Sequence, residues 1–322
     1  MQKKNVELVD RLQTKLKCKR SSCRTYASTI KRVAREFGSG YKNDMKWVHD
    51  KKILGKIQKY DATLNVKRNL VNSMLIALKL HQNESLYKQY SDYLLELNKQ
   101  VEEFAKTGQL TEKQQKNWLS YDKILKLRRL LGRKLKLSQA YKREKLISRD
   151  FKLITQWIVL NLYTQVPPVR LSWAETSFHN EKGIGNARQQ LGNYLAIRRG
   201  GWRVYWNEHK SKRKHGTVEV EIPKSLERVL RPYIRYLKKH FPDNANLLLN
   251  ARYEPMSRAS LSQFIQNLFF AHFRKRIGTQ AIRRIFLSNK YSHKADKERA
   301  EVARKMLHTE STQKLHYVKT NE

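Results

Sequence analysis

Acidic residues are scarce in this chain. Its 322 residues carry 28 Asp and Glu against 68 Lys and Arg, a formal net charge of +40. So few carboxylates, scattered through the second half, leave a two-metal nuclease site unsupported. The sequence has no His-Glu-x-x-His motif, no Cys/His array with zinc spacing and no Gly-x-x-x-x-Gly-Lys-Ser/Thr loop. Those absences set aside a zinc site and the usual ATP-driven machine. No segment approaches the ~18 consecutive apolar residues of a membrane span, and the N-terminus, MQKKNVELVD, lacks the apolar core of a signal peptide. Cysteine is limited to Cys18 and Cys23, and no second ligand pair follows them. They read as free thiols in a reducing, intracellular compartment rather than as a metal site. Proline is absent before Pro167, which suits an uninterrupted run of helices.

What is abundant is positive charge. A surface that needs only solubility needs charge but not one sign of it. An excess of +40 repels itself on compaction and makes physical sense beside a polyanion, where basic side chains gain affinity by releasing counterions from phosphates. Composition alone therefore names nucleic acid as the partner class, and an RNA-binding protein would share it. The runs from Lys210 to Lys214 and from Arg274 to Arg276 fit either DNA contact or a nuclear signal.

The first 106 residues read as helices. Leu70, Val71, Met74, Leu75 and Leu78 share one helical face in 66–80, and Leu86, Tyr90, Leu94 and Leu97 do so in 84–105. Ser21 or Ser22 is expected to cap a helix carrying Tyr26, Ile30 and Val33. The polar segment 107–117, with room for a short helix, marks the boundary between a domain at 1–110 and one at 118–322. In the second half, helical patterns at 120–134 and 147–164 lead to Pro167-Pro168. YLAIRR, RVYWNEHK and TVEVEIP then read as three short antiparallel strands. Helices are expected again at 224–240, 258–272, 279–290, 295–307 and 311–319. The fold class is mainly α with a small antiparallel sheet embedded in the second domain.

Phosphodiester transfer without a metal requires a nucleophile, fixed positive charge around the transition state and an acid for the departing oxygen. Arginines supply the charge through paired contacts to non-bridging oxygens. The chain offers isolated basic residues at element ends followed by a tyrosine. Pro167-Pro168-Val169-Arg170 follows a helix, Lys210 ends the second strand pattern, and Ala281-Ile282-Arg283-Arg284 lies on a helix. MLHTESTQKLHYVK then places His308 nine residues before Tyr317. Tyr253 and Tyr291 are competing tyrosines without a histidine at that distance.

This ordered set resembles the tyrosine recombinases, whose ending places a Leu-Gly-His segment about that far before the nucleophilic tyrosine. The pieces KQQKNWLSYDKI and KSKRKHG are similar to the branch found in large DNA viruses, virophages and related mobile elements. The resemblance implies an N-terminal helical core-binding domain and a mixed α+β catalytic domain that close as two lobes around duplex DNA. It implies Tyr317 as nucleophile, Arg170 and Arg283 as phosphate ligands, His308 as hydrogen-bonding or proton-transfer partner and Lys210 as general acid. Arg284, Gln280 and Lys212 would be accessory phosphate-binding residues, with Lys212 the alternative to Lys210. No metal and no cofactor is expected. The expected partners are double-stranded DNA and further copies of the chain, a tetramer on paired sites, in the nucleus or cytoplasm of a host if the element is viral. A type IB topoisomerase or an inactive DNA-binding relative are the other readings. Four positions depart from the pattern: Leu307 replaces the glycine, Gln280 stands where a histidine is frequent, Arg284 stands where another basic or histidine residue is frequent, and the acid expected shortly after the first arginine is absent, with Glu175 nearby.

Overall fold

The structure is a computed structural model. It describes residues 3–181, 192–290, 296–307 and 309, with side chains described from 7 onward and, in the last helix, from 301. The chain divides into two compact units, Met1–Thr107 and Gly108–Glu322, each with its own apolar core. No helix among the described residues is long and apolar enough to cross a membrane.

The first unit is built from α1 (Lys3–Leu16), α2 (Arg20–Glu36), α3 (Lys52–Lys59), α4 (Leu64–Leu80) and α5 (Glu84–Lys106). The stripes read from periodicity are the ones that pack. Leu70, Val71, Met74, Leu75 and Leu78 of α4 meet Leu86, Tyr90 and Leu97 of α5 in one core, with Leu94 half-buried against it. Asn83 caps α5, its side-chain oxygen accepting the Leu86 N–H at 3.1 Å.

Two local expectations are corrected here. Ser21 and Ser22 lie inside α2, whose N-cap is Lys19, so neither is the cap. The chain turns earlier because Lys17 adopts a left-handed conformation, φ 49°. Cys18 and Cys23 are joined as a disulfide rather than free. Cys18 sits in the turn between α1 and α2 and Cys23 in the first turn of α2. That geometry brings their Cα atoms to 6.5 Å, inside the ~4.4–6.8 Å span that the bond needs.

In the second unit the segment read as a linker contains α6 (Glu112–Lys116), started by a reciprocal capping box between Thr111 and Gln114. Then come α7 (Tyr121–Ser138) and α8 (Ser148–Thr164), β1 (Thr176–Asn180), β2 (Asn193–Ile197), β3 (Arg203–Trp206), α9 (Lys212–His215) and β4 (Val218–Glu221). Four helices follow: α10 (Lys224–His240), α11 (Arg258–Phe273), α12 (Thr279–Lys290) and α13 (Asp296–Lys305). The helix expected at 311–319 lies outside the described residues.

The sheet runs in the order β1-β2-β3-β4. Strands β2, β3 and β4 form the expected antiparallel meander, with Leu195, Val204 and Val220 in register. The sheet is nevertheless mixed, because β1 joins it parallel to β2. The opposite edge of β1 is covered by the backbone of 245–247: Phe178 N–H reaches Ala245 O at 2.7 Å and Leu247 N–H reaches Thr176 O at 2.8 Å. Between β2 and β3 the chain reverses at Gly201, whose φ of +122° only glycine adopts without strain. The turn is pinned to α10, where the buried carboxylate of Glu227 accepts the Trp202 N–H at 2.8 Å. Leu195, Val204, Trp206 and Val220 of the sheet share one core with residues of α8 and α10, and Trp206 meets Trp173 edge to face at 4.7 Å.

Candidate active site

The C-terminal end of α8 is the first fixed point. A helix leaves its last carbonyls without internal donors, and here Tyr121 of α7 donates its hydroxyl to Thr164 O at 3.1 Å. Arg128 of α7 donates to Thr164 Oγ1 at 2.7 Å, placing a cation at the negative end of the helix dipole. Burial lowers the Arg128 pKa, yet it stays a cation, as guanidinium groups do in proteins. Pro167 and Pro168 then prevent the helix from continuing and carry the chain to Arg170, which is half-buried. The Tyr163 hydroxyl donates to Arg170 O at 2.6 Å and so ties this turn back onto α8.

Among the described residues Arg283 of α12 is one of the largest fully buried side chains, and it carries a charge. Burial pushes the Tyr163 hydroxyl far above the ordinary phenol range, and Arg283 pulls it back down, so the two groups lie within electrostatic reach. Arg283 Nη2 donates to Met306 O at 2.9 Å. Leu307 follows with φ +60°, the left-handed backbone that favours glycine. This is the position where the resembled motif has its glycine. A leucine held there costs roughly 1–2 kcal/mol of backbone strain, and its side chain offsets that by burial in the main core at 4% exposure.

The third piece is the β3–β4 connection. Strand β3 ends at Trp206, so Lys210 stands in the loop beyond it rather than at the strand's end. Its side chain is exposed, whereas Lys212, on α9, pairs with Glu208 at 2.6 Å. Ser211 donates its hydroxyl to Leu307 O at 2.9 Å. Arg304 of α13 helps to lower the His215 pKa, after burial, Lys214 and His209, which places this loop within electrostatic reach of α13.

The structure therefore brings together the Arg170 turn, Arg283, the Lys210 loop and the Met306-Leu307 turn through a chain of contacts. Gln280 lies exposed in the first turn of α12 and Arg284 is half-buried beside Arg283. Glu175 is not drawn to the Arg170 turn, because its carboxylate pairs with Arg258 at 2.9 Å. Tyr253 is a packing residue, in ring contact with Phe151 and Phe241 and hydrogen-bonded to Ser148 at 2.9 Å. His308, Tyr317 and Tyr291 lie outside the described residues. Two residues that the sequence reading passed over, Tyr163 and Ser211, make the connecting hydrogen bonds. Neither carries a local signal, since a tyrosine late in an apolar helix and a serine in a lysine run are both ordinary.

A second basic surface lies between α7 and α8, an open groove of about 990 Å³. Lys123, Lys126, Arg129, Arg133 and Lys136 line it along α7, Trp157 lies on the α8 side, and no carboxylate takes part. Gly132 allows the approach of the two helices, because a Cβ there would stand 2.8 Å from the Trp157 indole nitrogen.

No protein-family model and no curated protein matches the chain. Among solved structures it is similar to the crystal structure of XerA recombinase, at 12% identity and a TM-score of 0.43, over 98% of this chain and 94% of that one. It is also similar to XerH site-specific recombinase bound to its difH substrate as a pre-cleavage complex, at 12% identity and a TM-score of 0.48, over 97% of this chain and 81% of that one.

Proposed function

We propose that this protein is a site-specific DNA recombinase that cleaves and rejoins strands through a 3′-phosphotyrosyl intermediate on Tyr317. The observation that carries the reading is that Arg283 and the Lys210 loop both hold the Met306-Leu307 turn, while Tyr163, within electrostatic reach of Arg283, holds the Arg170 turn, three segments far apart in sequence. His308 follows that turn by one peptide bond.

In the proposed reaction the Tyr317 oxygen attacks the scissile phosphorus and its proton is drawn away with help from His308. Arg170 and Arg283 stabilise the negative charge added at the non-bridging oxygens, Arg283 from a guanidinium that is buried and held on Met306 O in this structure. The bond to the 5′ oxygen breaks, and Lys210 protonates that oxygen as it leaves. A 5′ hydroxyl from another strand reverses the step and frees the tyrosine. The phosphodiester energy is kept in the enzyme link, so the chemistry calls for neither ATP nor a metal. Duplex DNA is the substrate, and copies of the chain assemble on paired sites.

The test is covalent capture. Wild-type protein is mixed with a random-sequence library of nicked duplexes in EDTA and denatured, and the attached DNA is recovered and sequenced. An adduct that Tyr317→Phe fails to form, while still binding DNA, supports the reading. Strict dependence on magnesium, or no adduct at all, overturns it. Strand exchange between two captured duplexes then separates a recombinase from a type IB topoisomerase.

A further inference from the structure

We propose that Ser211 is a positioning residue that locks the loop carrying Lys210 onto the turn that Arg283 also holds, setting the general acid and the phosphate-binding arginine relative to each other. The proposal rests on the recombinase reading above.

The first support is how Ser211 spends its hydroxyl. Ser211 is the N-cap of α9, and a serine there ordinarily turns its oxygen toward the N–H groups of the first helical turn. Its side chain makes no such bond. The backbone carbonyl of Ser211 instead accepts from Lys214 and His215, at 3.0 and 3.1 Å. The hydroxyl turns outward and donates to Leu307 O at 2.9 Å, across 96 residues of sequence. A local interaction is forgone for a long-range one.

The second support is what the carbonyl belongs to. Met306 O and Leu307 O are consecutive acceptors just past the end of α13, and each is taken by a different element. Arg283 holds the first from α12 and Ser211 holds the second from the β3–β4 loop. The turn itself is closed by Met306 N–H to Val302 O at 2.8 Å and Leu307 N–H to Arg304 O at 3.0 Å. Because Leu307 is buried in a left-handed conformation, its carbonyl direction is set by the backbone rather than free to follow the loop.

The third support is the state of the loop. Its base is anchored to the sheet, where Asn193 Oδ1 accepts the Glu208 N–H at 2.8 Å and Asn193 Nδ2 donates to Glu208 O at 3.1 Å. The loop carries Lys210, Lys212, Arg213 and Lys214, and His215 at its end lies within electrostatic reach of Arg304. Like charges oppose that approach. A neutral hydroxyl–carbonyl bond tethers the loop without adding a further charge to the region. Lys210 lies one residue from the tether, between it and the anchored base.

The test uses the full-length protein and two versions of a duplex captured on the wild type, one normal and one with sulfur at the 5′ bridging position of the scissile phosphate. Sulfur leaves without protonation, so it bypasses the acid. Ser211→Ala is expected to slow adduct formation about tenfold on the oxygen substrate, the scale of one missing hydrogen bond, and by less than about twofold on sulfur. Ser211→Thr keeps the hydroxyl and should recover the oxygen rate. Hydrogen exchange of the 207–217 amides should rise in Ser211→Ala while that of α10 stays unchanged. A wild-type rate on the oxygen substrate, an equal deficit on both substrates, or unchanged exchange in 207–217 overturns the proposal. Failure to capture any duplex on wild-type protein overturns the recombinase reading itself, and this proposal with it.

Discussion

The hydroxyl of Tyr163 donates to the backbone carbonyl of Arg170 at 2.6 Å, from a fully buried ring that also lies within electrostatic reach of Arg283. One phenol thus relates the two arginines assigned to the phosphate, holding the backbone of the first and facing the charge of the second.

Removing that hydroxyl should loosen the Arg170 turn. Tyr163→Phe leaves a partly buried carbonyl without its donor, and the expected loss is about 1–2 kcal/mol. Urea unfolding of wild type and variant measures it. Adduct formation should fall while DNA affinity changes less than about twofold, because one phosphate ligand is misplaced among many. An unchanged unfolding midpoint together with an unchanged cleavage rate would show that the bond is incidental.

Leu307 reverses an ordinary ranking. At most positions alanine is more stable than glycine, because glycine loses more chain entropy. At φ +60° the Cβ is penalised instead. Leu307→Ala and Leu307→Gly both lose the buried side chain and should both be less stable than wild type. The glycine variant should nevertheless exceed the alanine variant by about 1 kcal/mol. Thermal or denaturant unfolding of the pair decides it, and alanine above glycine would mean the residue is not left-handed.

The α7–α8 groove should contribute affinity without sequence preference. The triple variant Lys126→Gln, Arg129→Gln, Arg133→Gln removes three exposed cations from its lining. Fluorescence anisotropy across a salt series should show weaker duplex binding on every sequence. The slope of log affinity against log salt should flatten by about 0.9 for each phosphate that the variant no longer neutralises. An unaltered slope would place the groove off the DNA path.

The Cys18–Cys23 disulfide closes a short loop at the junction of α1 and α2. A loop of that size restricts the unfolded chain by about 2 kcal/mol on the chain-entropy model. Cys18→Ser should lower the stability of the first unit by that order and leave the second unit's transition in place. Calorimetry with and without reductant reads the two transitions separately. Insensitivity of the first to both reductant and mutation would speak for free thiols.

Much of this architecture is legible in the chain because its causes are local. Helices α10 and α12 span the residues that periodicity alone assigns, 224–240 and 279–290, since an amphipathic stripe must bury one face. The β2–β3–β4 meander is equally local, as neighbouring strands pair across short turns. Strand β1 escaped detection because Thr176-Ser177-Phe178-His179-Asn180 has one large apolar residue and no alternation to report. It is a strand because β2 and the 245–247 backbone supply its partners on either side.

The candidate site divides along the same line. Residue identity and order, Arg170, Lys210, Arg283, His308 and Tyr317, are properties of the sequence, and for His308 and Tyr317 the sequence is the sole ground of the assignment. Which cations are buried and which loop is tethered are not written in any local pattern. Arg283 is fully buried while Arg284 beside it is not, and Lys212 is held by Glu208 while Lys210 stands exposed. Arg283 meets Met306 across 23 residues and the Lys210 loop meets Leu307 across 96, whereas the Lys212–Glu208 pair spans only four. Chain composition and periodicity record what each residue tends to do with its neighbours in sequence, and only the packed structure decides its neighbours in space.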